Sequence, residues 1–302
     1  MAKRVGIAGL GTVGAEVARE ILKHHSHVVE IIAVCARDRT KDRGVALPDS
    51  VKWYDNAADM VDACDIVVEL MGGTGAHVDT YIKNAIDTGK PVVTANKAYL
   101  SNHLDLLDNR CVGYEAAVAG GIPIIECMKT ALSGNRISKI TAILNGTCNY
   151  ILSELEAKSQ TFEDIVKQAQ DAGYAESDPT LDISGQDALQ KSMILARLAF
   201  GDVPMDTTCD GLGAATPDAV QKAKANGQVI RLVSEITLEN GRANIAVKEQ
   251  TFDQAHDFAS VTGAQNAVLI EATPIQTLFL KGYGAGAKPT ASAVLADILK
   301  FA

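Results

Sequence analysis

KRVGIAGLGTVG, residues 3–14, is the stretch on which the fold turns. Val5, Ile7 and Ala8 read as a short buried strand, and Gly9, Gly11 and Gly14 follow it in G-x-G-x-x-G spacing. The segment to about Lys23 reads as a helix. In that context the first glycine permits a tight turn, the second lets the backbone approach a pyrophosphate, and the third lets helix and strand pack closely. The helix N-terminus then attracts negative charge. The same glycines would also serve a turn with no ligand, so the spacing leaves both readings open.

Outward from this unit the alternation continues. VVEIIAVCAR reads as a second strand, and ADMVDACDIVVEL as a helix and a third strand. HVDTYIKNAIDTG, KPVVTAN and CVGYEAAV read as a helix, a strand and one more strand. Repeated βα units imply a mostly parallel sheet covered on both faces. After about Gly120 the pattern changes to helices (IPIIECMKTALSG, TFEDIVKQAQDAG, SGQDALQKSMILARLAF) mixed with strands such as RISKITAIL. Thr161 and Asp164 have capping-box spacing, and Asn240-Gly241 predicts a hairpin turn. The fold class is therefore α/β: a Rossmann-type dinucleotide-binding domain over 1–130, with an α+β domain over 131–285.

Composition narrows the function. At 302 residues, with 47% apolar and 22% charged residues, the chain can bury a full core. The net charge of −9 lacks the basic stripe that nucleic acid requires. The opening residues run directly into a strand and no long apolar run follows, so a cytoplasmic protein with no membrane partner is expected. The six cysteines show no C-x-x-C spacing, which argues for reduced thiols and against zinc.

The second strand ends CARDRTKDR. An acid there would accept hydrogen bonds from a ribose 2′-hydroxyl, whereas Arg37 would suit a 2′-phosphate. Arg37 leans the reading to NADP, Asp38 leaves NAD open, and a solvated basic loop is the plain alternative. Glu115 and the carbonyls near Gly120 could hold a hard cation or simply form a turn. Further on, DAGYAESDPTLDISGQDALQK, residues 171–191, packs Glu176, Asp178, Asp182 and Asp187 ahead of Lys191. A solvated acidic loop is one reading, and a pocket for a cationic polar ligand is the other. Asp187 and Lys191 are i and i+4 on one helical face that continues into Ile194 and Leu198. A lysine poised between apolar surroundings and a carboxylate suits proton transfer; an exposed ion pair is the alternative.

These motifs together resemble the homoserine dehydrogenase family. The likeness covers GLGTVG, VVELMGG, VVTANKAYL, YEAAVAGGIPII, ILNGTCNYIL, the 171–191 stretch and GAGAKPTASAVLADIL, almost end to end. It implies reversible NAD(P)H-dependent reduction of L-aspartate 4-semialdehyde to L-homoserine, on the route to threonine and methionine. It also implies a catalytic and dimerisation role for 131–285, a closing helix over 286–302 that packs back on the nucleotide-binding domain, and a homodimer or higher homo-oligomer. Lys191 would exchange the proton, with Asp187 and with Lys97 between cofactor and substrate. Glu176, Asp182, Tyr174, Thr147 and Gly146 would bind the amino-acid substrate. Gly9, Gly11, Thr12, Val13, Gly14, Arg37, Gly72, Thr94, Lys97 and Gly286 would bind NADP or NAD. Glu115, with Val118, Gly120 and Ile122 carbonyls, would hold a monovalent cation, usually sodium.

Two competing functions remain on the residues alone: an oxidoreductase of another small amino acid, and a non-catalytic dinucleotide sensor. Retention of Lys97, Asp187 and Lys191 speaks against the sensor. Tyr283 stands where the family commonly has proline, and DQAHDFASVTGAQNAV departs from its usual His-Pro-Leu wording. The chain ends at Ala302, which gives the expectation that threonine feedback through a C-terminal regulatory domain is absent.

Overall fold

The opening strand nucleates a parallel sheet. In the computed structural model, which describes residues 1–158, 160–172, 174, 178–213 and 216–302, the chain forms two compact units. One comprises Met1–Pro123 with Gly286–Ala302 and the other Ile124–Ala285. The break falls ahead of residue 130 because the helical turns from Ile124 run with the second unit.

In the first unit β1 (Lys3–Ala8), α1 (Thr12–Glu20), β2 (Val29–Cys35), β3 (Lys52–Tyr54) and β4 (Ile66–Glu69) are followed by α2 (Ala76–Asp87), β5 (Val92–Thr94), α3 (Lys97–Asn102) and β6 (Val112–Gly113). The strand order is β3-β2-β1-β4-β5-β6, every pair parallel. The order reverses between β1 and β4, so their carboxyl ends open a crevice of the kind that takes ligands in open α/β sheets. Val5, Ile7, Val17 and Ile66 share one apolar cluster with Ala291, Val294 and Ile298 of the closing helix, Ala287–Lys300.

Two local expectations need correction. CVGYEAAV is a strand only at Val112–Gly113; Glu115–Ala117 is a 3-10 turn whose Glu115 amide donates to Asp297 of the closing helix at 2.8 Å. Its apolar run is buried by that helix rather than by strand pairing. Ala57–Ala63 is likewise a 3-10 helix, with Asn56 accepting from the Ala58 amide at its start.

The second unit contains α4 (Ile124–Glu126), widening into a π turn at Cys127–Ala131, then β7 (Arg136–Ile143), α5 (Gly146–Ala157), α6 (Phe162–Asp171), α7 (Thr180–Ile183) and α8 (Gln186–Phe200). β8 (Met205–Cys209), α9 (Thr216–Ala225), β9 (Gln228–Glu239), β10 (Arg242–Asp253), β11 (Gln265–Thr273) and β12 (Gln276–Tyr283) complete it. The mixed sheet runs β12-β11-β7-β9-β10-β8. Ile270, Ile140, Ile236 and Ile245 align across four strands and are buried on one face. On the other face Lys139 pairs with Glu235 at 2.9 Å. Thr161 caps α6, accepting from the Asp164 amide at 3.2 Å. Asn240 and Gly241 both take positive φ at the β9–β10 turn, as a two-residue hairpin turn demands. Among the described residues no helix is long and apolar enough to cross a membrane.

Candidate active site

In the first unit the glycine loop sits at the sheet's switch point. Gly9 has φ +97°, and a Cβ there would collide with the Leu70 carbonyl; one on Gly14 would strike the Gly9 carbonyl. A Cβ on Gly11 would meet nothing within 4 Å. The first and third glycines are thus required by packing, whereas the second borders open space at the start of α1. Thr12 and Val13 form the first turn of α1.

A cavity of about 620 Å³ opens there, lined by Gly9, Leu10, Gly11, Arg37, Lys41 and Arg43 among others. The basic stretch is exposed from Arg37 to Asp42, and specific bonds tie parts of it down. Arg43 donates to Leu10 O at 2.8 Å, to Lys41 O at 2.7 Å and to Asp38 O, and lies 5.9 Å from the Trp53 ring centre. Arg39 pairs with Asp55 at 2.5 Å. The Asp38 carboxylate accepts from Thr40 N at 2.8 Å and Thr40 Oγ1 at 2.7 Å, and these bonds hold its pKa below the ordinary value. Arg37 and Lys41 line the cavity as exposed cations.

Gly72 and Thr94 gather at the carboxyl ends of β4 and β5 around a residue the sequence reading passed over. Glu69 is fully buried. Its carboxylate accepts from Met71 N at 2.7 Å, Gly72 N at 3.0 Å and Thr94 Oγ1 at 2.7 Å. Asn96 caps α3, accepting from Tyr99 N at 3.1 Å, and donates to Gly73 O at 2.7 Å. Lys97 is the first residue of that helix. Gly286, at φ +110°, precedes the closing helix. Glu115 is 6% exposed, with Val118, Gly120 and Ile122 buried beside it in sequence; Ala119 and Gly120 both have positive φ.

In the second unit the acids divide. Glu176 lies outside the described residues. Asp178 faces solvent just ahead of α7, where it accepts from Thr180 N at 3.1 Å. Asp182 and Asp187 converge. Lys191 Nζ donates to Asp187 Oδ2 at 2.7 Å and to Leu144 O at 2.8 Å. The two side chains are only 12% and 10% exposed, so this is a buried pair whose desolvation must be offset by geometry, and the exposed-pair reading fails. Gly185 takes φ +79° to start α8, which aims both side chains inward.

Asn145 joins the acids, and sequence reasoning missed it. Its Nδ2 donates to Asp182 Oδ1 at 2.7 Å and Asp187 Oδ2 at 2.8 Å, while its Oδ1 accepts from Cys148 N at 2.7 Å to cap α5. The available signal was an N-cap residue directly ahead of Gly146-Thr147. Burial, then the Asp187 charge, pushes the Asp182 pKa up against bonds from Asn145 and Thr147. Thr147 Oγ1 donates to Tyr174 O at 2.7 Å, and the exposed Tyr174 ring lies 4.8 Å from that of Tyr150. Gly146 passes under Ala264 so closely that a Cβ would meet its carbonyl at 2.9 Å. A buried and a half-buried carboxylate beside a half-buried ammonium can bind a cationic ligand and exchange a proton with it.

Comparison with known proteins bears on both units. Residues 9–111 match the family described as "Homoserine dehydrogenase, NAD binding domain", and residues 123–299 the family described as "Homoserine dehydrogenase". A homoserine dehydrogenase of Neisseria gonorrhoeae is 38% identical over 316 residues, covering 99% of this chain and 72% of the relative. The crystal structure of a homoserine dehydrogenase from Thiobacillus denitrificans superposes with a TM-score of 0.92 at 35% identity, covering 100% of this chain and 73% of the other. A hyperthermophilic archaeal homoserine dehydrogenase solved in complex with NADPH gives 0.82 at 27% identity, covering 99% and 97%.

Proposed function

The chain belongs to the homoserine dehydrogenase family, NAD(P)-dependent oxidoreductases acting on a CH–OH group, and from that premise we propose how its residues divide the work. The reaction is the reversible reduction of L-aspartate 4-semialdehyde to L-homoserine, serving threonine and methionine synthesis. The observation that carries this reading is the half-buried Lys191 ammonium, held by Asp187 and Leu144 O beside Asp182.

Asp182 and Glu176 bind the substrate's α-ammonium, and charge-assisted hydrogen bonds offset the cost of stripping its water. Thr147, Gly146 and Tyr174 complete the contacts. A bound reduced nicotinamide supplies the hydride. As negative charge grows on the aldehyde oxygen, Lys191 Nζ stabilises it and gives up a proton; in the oxidative direction it takes the alcohol proton back. Asp187 keeps Nζ aimed throughout. Lys97 is the second ammonium of the catalytic set, on the dinucleotide-binding unit.

Gly9, Gly11, Thr12, Val13 and Gly14 would hold the pyrophosphate, with Gly72, Thr94 and Gly286 contributing further contacts. NADP is the favoured cofactor, because Arg37 and Lys41 line the cavity while Thr40 already engages the Asp38 carboxylate. The archaeal relative solved with NADPH supports the same reading. A monovalent cation, sodium by preference, would sit on Glu115 and the carbonyls of Val118, Gly120 and Ile122. The enzyme would work as a homodimer or larger homo-oligomer in the cytoplasm, where its six free cysteines stay reduced.

The test is oxidation of NADPH and of NADH in the presence of the aldehyde. Aldehyde-dependent oxidation favouring NADPH is expected; none with either cofactor would remove the assignment. Arg37→Ala should weaken NADPH far more than NADH, and equal weakening would remove the cofactor argument.

A further inference from the structure

We propose that Asn145 is a positioning residue whose carboxamide ties the start of α5 to Asp182 and Asp187, holding Asp182 aimed at the ammonium group of the substrate and Asp187 at Lys191. The inference rests on the functional reading above and adds a residue to it.

Asn145 is 4% exposed, and its side chain is engaged on both sides. Its oxygen accepts from Cys148 N at 2.7 Å, and its nitrogen donates to Asp182 at 2.7 Å and Asp187 at 2.8 Å. Those bonds leave one orientation of the amide: oxygen to the helix, nitrogen to the acids. The two carboxylates come from different helices, α7 and α8, and meet at one nitrogen, so they are close enough to repel strongly away from water. A primary amide presents two N–H groups in a fixed plane without adding charge. A hydroxyl presents one, and an ionised carboxylate none.

Asp187 Oδ2 also accepts from Lys191 at 2.7 Å, so a displacement of Asn145 passes to the proton-transferring ammonium through a single atom. Among the described residues, the titratable groups around Asp182 are Asp187 and Lys191 of α8, the Cys148 thiol of α5 and, acting on that thiol, Glu249 of β10; Glu176 lies outside the described residues. Loss of the Asn145 donor removes a bond that favours the ionised form of Asp182, so its proton is held to higher pH.

Asn145→Ser separates the two jobs of the amide. Serine is a good N-cap, so α5 keeps its start, but one hydroxyl cannot bridge two acids. With L-homoserine and NADP+, KM for homoserine should rise about 10- to 100-fold, the scale of a lost bond to a charged group. KM for the cofactor should stay unchanged, and the acid limb of the kcat/KM profile should move to higher pH. Should the serine variant not fold, the isosteric Asn145→Asp keeps the cap, lacks a donor when ionised and should show a deeper loss at neutral pH. Wild-type KM and an unmoved acid limb in a folded variant would overturn the proposal, and so would a KM rise with an unmoved limb, which marks packing alone. A wild-type chain inactive on homoserine with either cofactor instead indicts the functional reading, and this inference falls with it.

Discussion

Lys191 has two fixed partners and little water, so its removal should show in chemistry before structure. Lys191→Ala is expected to lower kcat by about 100- to 10,000-fold, the range for a lost general acid, with NADPH binding measured by fluorescence left intact. Near-normal turnover would end its proton-transfer role. Asp182 offers a second test with a sign. Burial and the Asp187 charge raise its folded pKa above the ordinary carboxylate value. The native state therefore holds that proton more tightly than the unfolded chain, and stability falls as pH rises from the ordinary value through the raised one. Asp182→Asn removes this penalty: thermal melts should show a variant more stable than wild type at pH 7, with the gain vanishing toward acid pH. The same variant should raise KM for homoserine about 10- to 100-fold. Asp182 and Lys191 were legible because they lie in one stretch of chain. Asn145 was not, because its bonds span 37 and 42 residues and only the folded chain joins them.

The glycine loop shows at the level of elements how packing and binding separate. Gly9→Ala forces a side chain onto a left-handed backbone at a cost of about 1–2 kcal/mol, before the collision with Leu70 is counted, so the melting temperature should drop clearly. Gly11→Ala meets open space, so the melting temperature should hold while the dinucleotide Kd rises about tenfold or more, equal to about 1.4 kcal/mol. Equal behaviour of the two variants in calorimetry and titration would contradict the assigned roles. The loop, the Thr161 cap and the Asn240-Gly241 hairpin could be read from sequence because each depends on local backbone demands. The Glu115–Ala117 turn could not, since its buried apolar neighbours look like a strand until the closing helix is seen covering them. Glu69 was missed for a related reason: a lone acid ending a buried strand shows its purpose only when the Met71, Gly72 and Thr94 donors surround it.

At the level of the whole molecule, the first unit is made of two distant pieces of chain. Ala291, Val294 and Ile298 belong to the same cluster as Val5, Ile7 and Val17, so the closing helix is part of that unit's interior. A chain truncated after Ala285 should lose dinucleotide binding, and limited proteolysis should cut within 1–123 while sparing 124–285; a truncated chain that still binds NADPH tightly would refute this. The same connectivity bears on synthesis. Ribosomes add about 5–20 residues per second, so the opening strands must wait about 15–60 s for the segment that seals them. During that wait, apolar residues meant for the closing helix lie bare on the nascent polypeptide. Chaperone capture should therefore peak late in translation, and ribosome profiling of chaperone-bound chains would reveal it.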